Sequence, residues 1–258
     1  MAATEAVKLI VQADDFGMCH AVNQGVVKAF TDGIVTQSSM MPPCPWFAEA
    51  AALALEHGIP VGVHETLTSE WDYLRWGPLT GGPSLRRSDN TFPRTVERAR
   101  EQITDEDAVD ELCAQVMRVI GAGLTLTYLD VHMGMSKPVA YQAVAEKYGV
   151  PFLYEGIAAS LTFASITEFS PRPSEGKREW LLRRLGTIAA APGVHLVVSH
   201  PAVASDELDA ICKPDFFNVK WASYYRTADL EVLCDPAVRS RIDDLGIELT
   251  TVAEAFSP

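Results

Sequence analysis

Apolar runs rich in β-branched residues alternate with helical patterns along nearly the whole chain, and this alternation narrows the possible folds more than any other feature. "VKLIVQA" (7–13) reads as a strand and "AVNQGVVKAF" (21–30) as a helix that ends at Gly33. "IVTQSSMM" (34–41) and "IPVGVHET" (59–66) read as strands around the Ala-rich helix "WFAEAAALALEHG". A helix over 105–121, the strand "LTLTYLDVH" (124–132), the helix "VAYQAVAEKYG" and the strand "VPFLY" follow. The helix "KREWLLRRLGTIAAA", the strand "VHLVVSH" (194–200), helical patterns near 227–245, the short strand "IELT" and the helix "VAEAF" close the chain. Strands that are apolar throughout, each followed by a helix, imply a parallel sheet covered by helices. Seven or so repeats in 258 residues favour an α/β fold of the (β/α) TIM-like barrel type over an open sheet, mostly parallel, formed as a single domain over 1–258. The stretch 68–95 is too long and irregular for a plain connection, and such loops in compact domains are usually functional.

A net charge of −13 with no basic cluster argues against nucleic acid and against anionic membrane surfaces. No segment resembles a signal peptide or a membrane span, so a soluble, cytoplasmic protein is expected. The five cysteines are odd in number and scattered, without a Cys-x-x-Cys pair, which fits a reducing compartment and no disulfide framework.

The chemistry gathers where apolar strands end. The first strand runs into Asp14 and Asp15, the third into His64, the strand after 124 into Asp130 and His132, and the "VHLVVS" strand into His200. In a regular strand, neighbouring side chains point to opposite faces, so adjacent carboxylates serve one pocket only if the strand turns there. Barrels keep their active sites at these strand ends. A carboxylate and imidazoles with positions left for water make a site for a catalytic divalent metal, which supplies the positive partner that two adjacent carboxylates require. Histidine-rich ligation suits zinc, and the carboxylate and open water positions also permit magnesium, manganese or cobalt.

"ADDFG" followed by "VNQGV", then "GIVTQSSMM", "GVHETLTSEW", "LDVHMG" and "SHPA", resemble in order the YdjC-like (ChbG/HpnK-type) carbohydrate deacetylases, from about residue 8 to residue 254. The tail "YYRTADLEVLCDPAVRSRIDDLGIEL" is similar to that family's closing Arg-containing helix and last strand, which puts Arg226 among the substrate-binding candidates. The resemblance implies a distorted (β/α) barrel and metal-dependent removal of N-acetyl groups from an amino sugar or small oligosaccharide. It implies Asp15, His64 and His132 as metal ligands, Asp14 as catalytic base and His200 as general acid. Two positions depart from the pattern. Gly134 stands where many members carry a second histidine, and Glu65 replaces an apolar residue; as a strand neighbour of His64, Glu65 is expected to face away from the site.

Asp130 is expected to hydrogen-bond a ligand imidazole from behind. Trp71, Tyr73, Trp76 and Phe92 in the long loop either stack on a sugar ring or pack an ordered loop. Hydrolysis of a non-sugar amide or cyclic imide by the same machinery is the alternative enzyme reading, and a non-catalytic sugar-binding barrel the non-enzymatic one. The expected partner is a small acetylated sugar, and a homodimer is the default for a soluble protein of this kind.

Overall fold

The computed structural model describes residues 6–170, 172, 174–214 and 220–256. Among these, seven strands form one parallel sheet: β1 (Val7–Phe16), β2 (Gln37–Met40), β3 (Val61–Glu65), β4 (Leu126–Val131), β5 (Ser165–Glu168), β6 (Gly193–Ser199) and β7 (Glu248–Leu249). The order is β4-β3-β2-β1-β6-β5. One edge of β1 lies along β6 over its length, while β7 pairs with Lys8 and Leu9 and β2 with the stretch from Gln12 to Phe16.

The helices on the outside are α1 (His20–Thr31), α2 (Phe47–His57), α3 (Val96–Gln102), α4 (Asp105–Gly121), α5 (Pro138–Tyr148), α6 (Lys177–Ala189), α7 (Asp206–Ala210), α8 (Tyr225–Leu233), α9 (Pro236–Asp244) and α10 (Val252–Ala255). Their ends follow ordinary capping chemistry. The Thr104 hydroxyl accepts from the Asp107 N–H to start α4, and Thr251 with Glu254 forms a capping box on α10. None of the described helices is long and apolar enough to cross a membrane.

Two cores lie on the two sides of the sheet. The larger packs the helices against the strands. The smaller joins Ile10 of β1, Tyr128 of β4, Leu153, and Leu196 and Val198 of β6, with Val252 of α10 beneath them. β4 and β6 are four places apart in the sheet, so their side chains share a core only because the sheet curls on itself, as a barrel does. Tyr128 lies across β3 at Gly62, where an added Cβ would come within 2.3 Å of its ring, which is why that strand carries a glycine.

The expected alternation holds, with differences that have local causes. β2 begins at Gln37 rather than Ile34, because the N–H groups of Ile34 and Val35 bond outside the sheet, to the carbonyls of Leu233 and Ala29, and Thr36 N–H is the first to reach β1, at Val11. "VPFLY" does not form a strand of its own: Pro151 has no N–H, and only Phe152 bridges β4 and Ser160. The short β5, with the polar pattern "SITE", carries too little apolar signal to stand out in sequence.

Candidate metal centre and active site

The carboxylate pair serves one cavity because β1 slips. Its register with β2 shifts between Ala13 and Phe16, and Asp15 takes a left-handed backbone with φ of +68°. That geometry costs about 1–3 kcal/mol in a non-glycine residue and is held only where the surroundings enforce it. It brings Asp14 and Asp15 together into a cavity of about 570 Å³ at the C-terminal end of the sheet, with His64, His132, His200 and Arg226. A cavity of this size suits a small-molecule ligand.

Asp15 divides its two oxygens. Oδ2 accepts from Arg226 Nη2 at 2.6 Å, while Oδ1 is buried and has no donor. Two imidazole nitrogens face that orphan oxygen: His64 Nε2 at 3.5 Å and His132 Nδ1 at 3.4 Å. Each ring is fixed from behind. His64 Nδ1 lies 3.0 Å from Asp130 Oδ2, and His132 Nε2 lies 3.0 Å from Glu70 Oε2. A carboxylate behind each ring takes the far N–H and leaves the near nitrogen to donate a lone pair forward. Asp15, His64 and His132 can each offer a ligand atom within 4.8 Å of the other two. An orphaned carboxylate oxygen and two converging imidazole lone pairs fit a divalent cation.

A second group, Asp14, His64 and Asp130, has similar spacing. There, however, the Gln12 amide already bridges Asp14 Oδ1 and Asp130 Oδ2, at 2.7 Å each. With those two oxygens already partnered, that group is the weaker candidate.

Electrostatics point the same way. Burial would raise Asp15, yet Arg226 and the two histidines outweigh it and hold the carboxyl well below its ordinary value. Burial would lower His64 and His132, but Asp130 and Asp14 hold His64 well up, and Glu70 with Asp15 holds His132 at about 9. In the protein alone, protons meet the surplus of negative charge, and a cation bound here would take their place.

Asp14 and His200 stand beside this triad. Asp14 Oδ1 accepts from Gln12 and from Ser39 Oγ at 2.7 Å, so Oδ2 is the free oxygen, 3.9 Å from His200 Nε2. Burial, with Asp130 nearby, raises the Asp14 carboxyl well above its usual range. Burial pushes His200 down to about 3, against the pull of Asp15.

The other expectations divide. Asp130 hydrogen-bonds an imidazole of the cluster, and that ring is His64. Glu65 faces away from the cavity and is wholly buried, near Cys113 and Tyr141 of the helix layer. Of the four loop aromatics only Trp71 lines the cavity. Trp76 and Phe92 are buried behind it, with Trp76 Nε1 bonded to the Thr68 carbonyl at 2.8 Å and its ring edge toward His132, and Tyr73 is exposed on the outside. Arg226 lines the cavity: its Nη2 donates to Asp15 and its Nε to the Trp221 carbonyl, while Nη1 is buried without a partner. Gly134 has φ of +138°, a backbone a histidine would not readily adopt.

Sequence reasoning missed Glu70, Gln12 and Ser39 at the site, and Tyr154 and Trp221 on the cavity wall. Glu70 had one available signal, its position in the long loop directly after "HETLTS".

The family model described as YdjC-like protein matches residues 8–244. The chain belongs to the YdjC-like family. Similar full-length relatives of this YdjC-like chain include the carbohydrate deacetylase of Geobacillus stearothermophilus, 30% identical over 96% of this chain and 97% of that protein. The carbohydrate deacetylase of Vibrio parahaemolyticus is likewise 30% identical, over 97% of each. Among solved structures, an Enterococcus faecalis V583 protein named for cellobiose-phosphate cleavage superposes with a TM-score of 0.80 at 24% identity, covering 96% of this chain and 98% of that one. A Streptomyces lividans family 4 carbohydrate esterase, solved with acetate, gives 0.53 at 11% identity over 96% and 93%. At these identities the two structures speak for the fold.

Proposed function

We propose that the protein hydrolyses the N-acetyl group of an amino sugar or small oligosaccharide, using a divalent cation held by Asp15, His64 and His132. The observation that carries the reading is the orphaned Asp15 Oδ1 facing two imidazoles, with a free carboxylate oxygen of Asp14 and His200 Nε2 beside it. Full-length carbohydrate deacetylase relatives support the choice of an acetylated sugar. Zinc or magnesium is the proposed ion, with manganese or cobalt able to serve the same donor set. A cytoplasmic homodimer remains the working description.

An amide resists hydrolysis because its carbonyl is a weak electrophile and its amine a poor leaving group. A cation held by Asp15, His64 and His132 would supply Lewis-acid polarisation of the carbonyl and a more acidic water at the site. The protein supplies the proton traffic. Asp14 Oδ2 accepts the proton of the attacking water, while Gln12 and Ser39 keep its other oxygen fixed. His200 Nε2 delivers a proton to the departing nitrogen. Arg226 holds Asp15 in place through Oδ2, leaving Oδ1 for the ion. Trp71 offers an aromatic face within the cavity.

The test is elemental analysis of purified protein coupled to acetate release from N-acetylated mono- and oligosaccharides. Stoichiometric metal with acetate release is the expected result. Hydrolysis of only non-sugar amides would overturn the substrate class, and full activity without any metal would overturn the mechanism.

A further inference from the structure

Behind His200, on the side away from the cavity, runs a chain of polar groups that the proposed mechanism does not use. Ser170 Oγ lies 2.6 Å from His200 Nδ1 and 2.6 Å from Asp229 Oδ2. Asp229 Oδ2 also accepts from the backbone N–H of His200 at 2.9 Å, and Oδ1 takes a short contact from Lys177 Nζ. Ser170, Asp229 and Lys177 are each at most 1% exposed. Buried polar groups of this kind persist only when fully partnered. Lys177 is: besides Asp229 it meets the Ser170 carbonyl at 3.1 Å and sits 4.4 Å above the Phe169 ring.

The proton count in this chain has one solution. Burial pushes Asp229 up and Lys177 down, but their direct contact, with two further donors on the Asp229 carboxylate, keeps the pair ionised. An ionised Asp229 is an acceptor only, so the single hydroxyl hydrogen of Ser170 must point to it. Ser170 Oγ then has only lone pairs to offer His200, and the ring must carry its hydrogen on Nδ1. The bare nitrogen, Nε2, is left facing Asp14 Oδ2.

We infer that Ser170, Asp229 and Lys177 are positioning residues that lock His200 in the Nδ1–H tautomer and aim Nε2 at the reacting atoms. The inference rests on the proposed role of His200. It refines that role, because Nε2 is bare at rest and the proton it gives to the leaving nitrogen is the one Asp14 Oδ2 has taken from the attacking water and passed across the cavity. The hydrogen on Nδ1 stays where it is. The resulting imidazolium has a carboxylate one hydroxyl away, and the Ser170 oxygen bridges the two charges. The other charged group near Nδ1, Glu168 Oε1 at 3.7 Å, sits beyond hydrogen-bond distance, while the Trp221 edge packs against the ring. The remaining charges that act on the ring, Asp15, Arg226, His64 and His132, do so from the cavity side.

The test uses the full chain with its metal, labelled with ¹⁵N-histidine, and compares wild type, Ser170→Ala and Ser170→Thr. His200 is assigned by the signal lost in His200→Gln. Nitrogen shifts should identify the Nδ1–H tautomer in wild type and in Ser170→Thr, and a mixture or the Nε2–H form in Ser170→Ala. In Ser170→Ala, kcat should fall by about 10–100-fold with KM and metal content unchanged, as expected when the partner that orients a working histidine is lost. Ser170→Thr should restore most of it. Ser170→Ala leaves the Lys177–Asp229 pair in place, and a thermal melt checks that it folds. An unchanged tautomer in Ser170→Ala, or the Nε2–H tautomer in wild type, would overturn the inference. A kcat loss accompanied by equal losses in stability and metal, without rescue by threonine, would overturn it as well. A wild-type Nδ1–H tautomer that Ser170→Ala shifts, in a protein that releases no acetate from any sugar, would leave the relay standing and count against the proposed reaction instead.

Discussion

Replacing Glu65 by methionine should make this protein more stable, although the residue is wholly buried one position from a proposed metal ligand. Both Glu65 carboxyl oxygens lack any hydrogen-bond partner, and burial, with Cys113 and Asp130 adding to it, raises its pKa well above the ordinary carboxylate value. An unpartnered buried polar group costs about 1–3 kcal/mol, which methionine of similar length removes. For a domain of this size each kcal/mol moves the Tm by about 2–4 °C. The sign with pH follows from linkage. Because the folded pKa is raised, folded Glu65 keeps its proton above pH about 4.5 while the unfolded chain releases it. Its contribution is therefore complete below about pH 4.5 and is lost, by about 1.4 kcal/mol per pH unit, as the pH rises toward the folded pKa. Urea unfolding of the metal-free protein from pH 4.5 to 8 should show this loss in wild type and a shallower slope in Glu65→Met. Metal content after reloading should be unchanged. A variant that is less stable with an unaltered slope would refute the reasoning, and one that fails to reload metal would make Glu65 a ligand.

Three further predictions concern the cavity. Asp15→Asn should weaken metal binding, whereas Asp14→Asn should keep the metal and lose about 10²–10⁴-fold in kcat; metal analysis and kinetics on the same samples check both, and the reverse pattern would swap their roles. Trp71→Ala should raise KM roughly three- to tenfold, from the 0.5–1.5 kcal/mol typical of an aromatic contact, and should also lower Tm, because Trp71 is buried in the core as well as lining the cavity. Trp76→Ala should cost about 3–5 kcal/mol of stability, and a larger KM effect there than at Trp71 would contradict the arrangement of the loop. In metal-free protein, His200, depressed to about 3, should stabilise the fold fully above pH about 6.5 and less as the pH falls toward 3. Acid titration by circular dichroism should therefore show a flatter profile for His200→Gln, and an identical one would refute the assignment.

Much of this was legible in the chain. Continuous apolar strands announced a parallel sheet, and the C-terminal positions of Asp14, Asp15, His64, Asp130, His132 and His200 announced the site, because strand ends are where such a sheet opens. What could not be read depends on contacts between distant residues. Gln12 reaches Asp130 across 118 positions and carries no local signal, and Glu70 reaches His132 across 62 with only its place in the long loop to mark it. The turn at Asp15 is a non-glycine residue with positive φ, which no sequence pattern marks. The loop aromatics were ambiguous for the opposite reason: Trp71 and Trp76 are chemically alike and both buried, and only the path of the loop decides that Trp71 also lines the cavity.

The central claim is that Asp15, His64 and His132 together hold one divalent cation. Its most direct test is isothermal titration of metal-stripped wild type and His132→Ala with zinc and with magnesium, backed by elemental analysis. Wild type should bind one ion per chain and release protons as the ion displaces them from His64 and His132. His132→Ala should remain folded and lose tight binding. Full occupancy in His132→Ala, or no stoichiometric binding by wild type, would contradict the account.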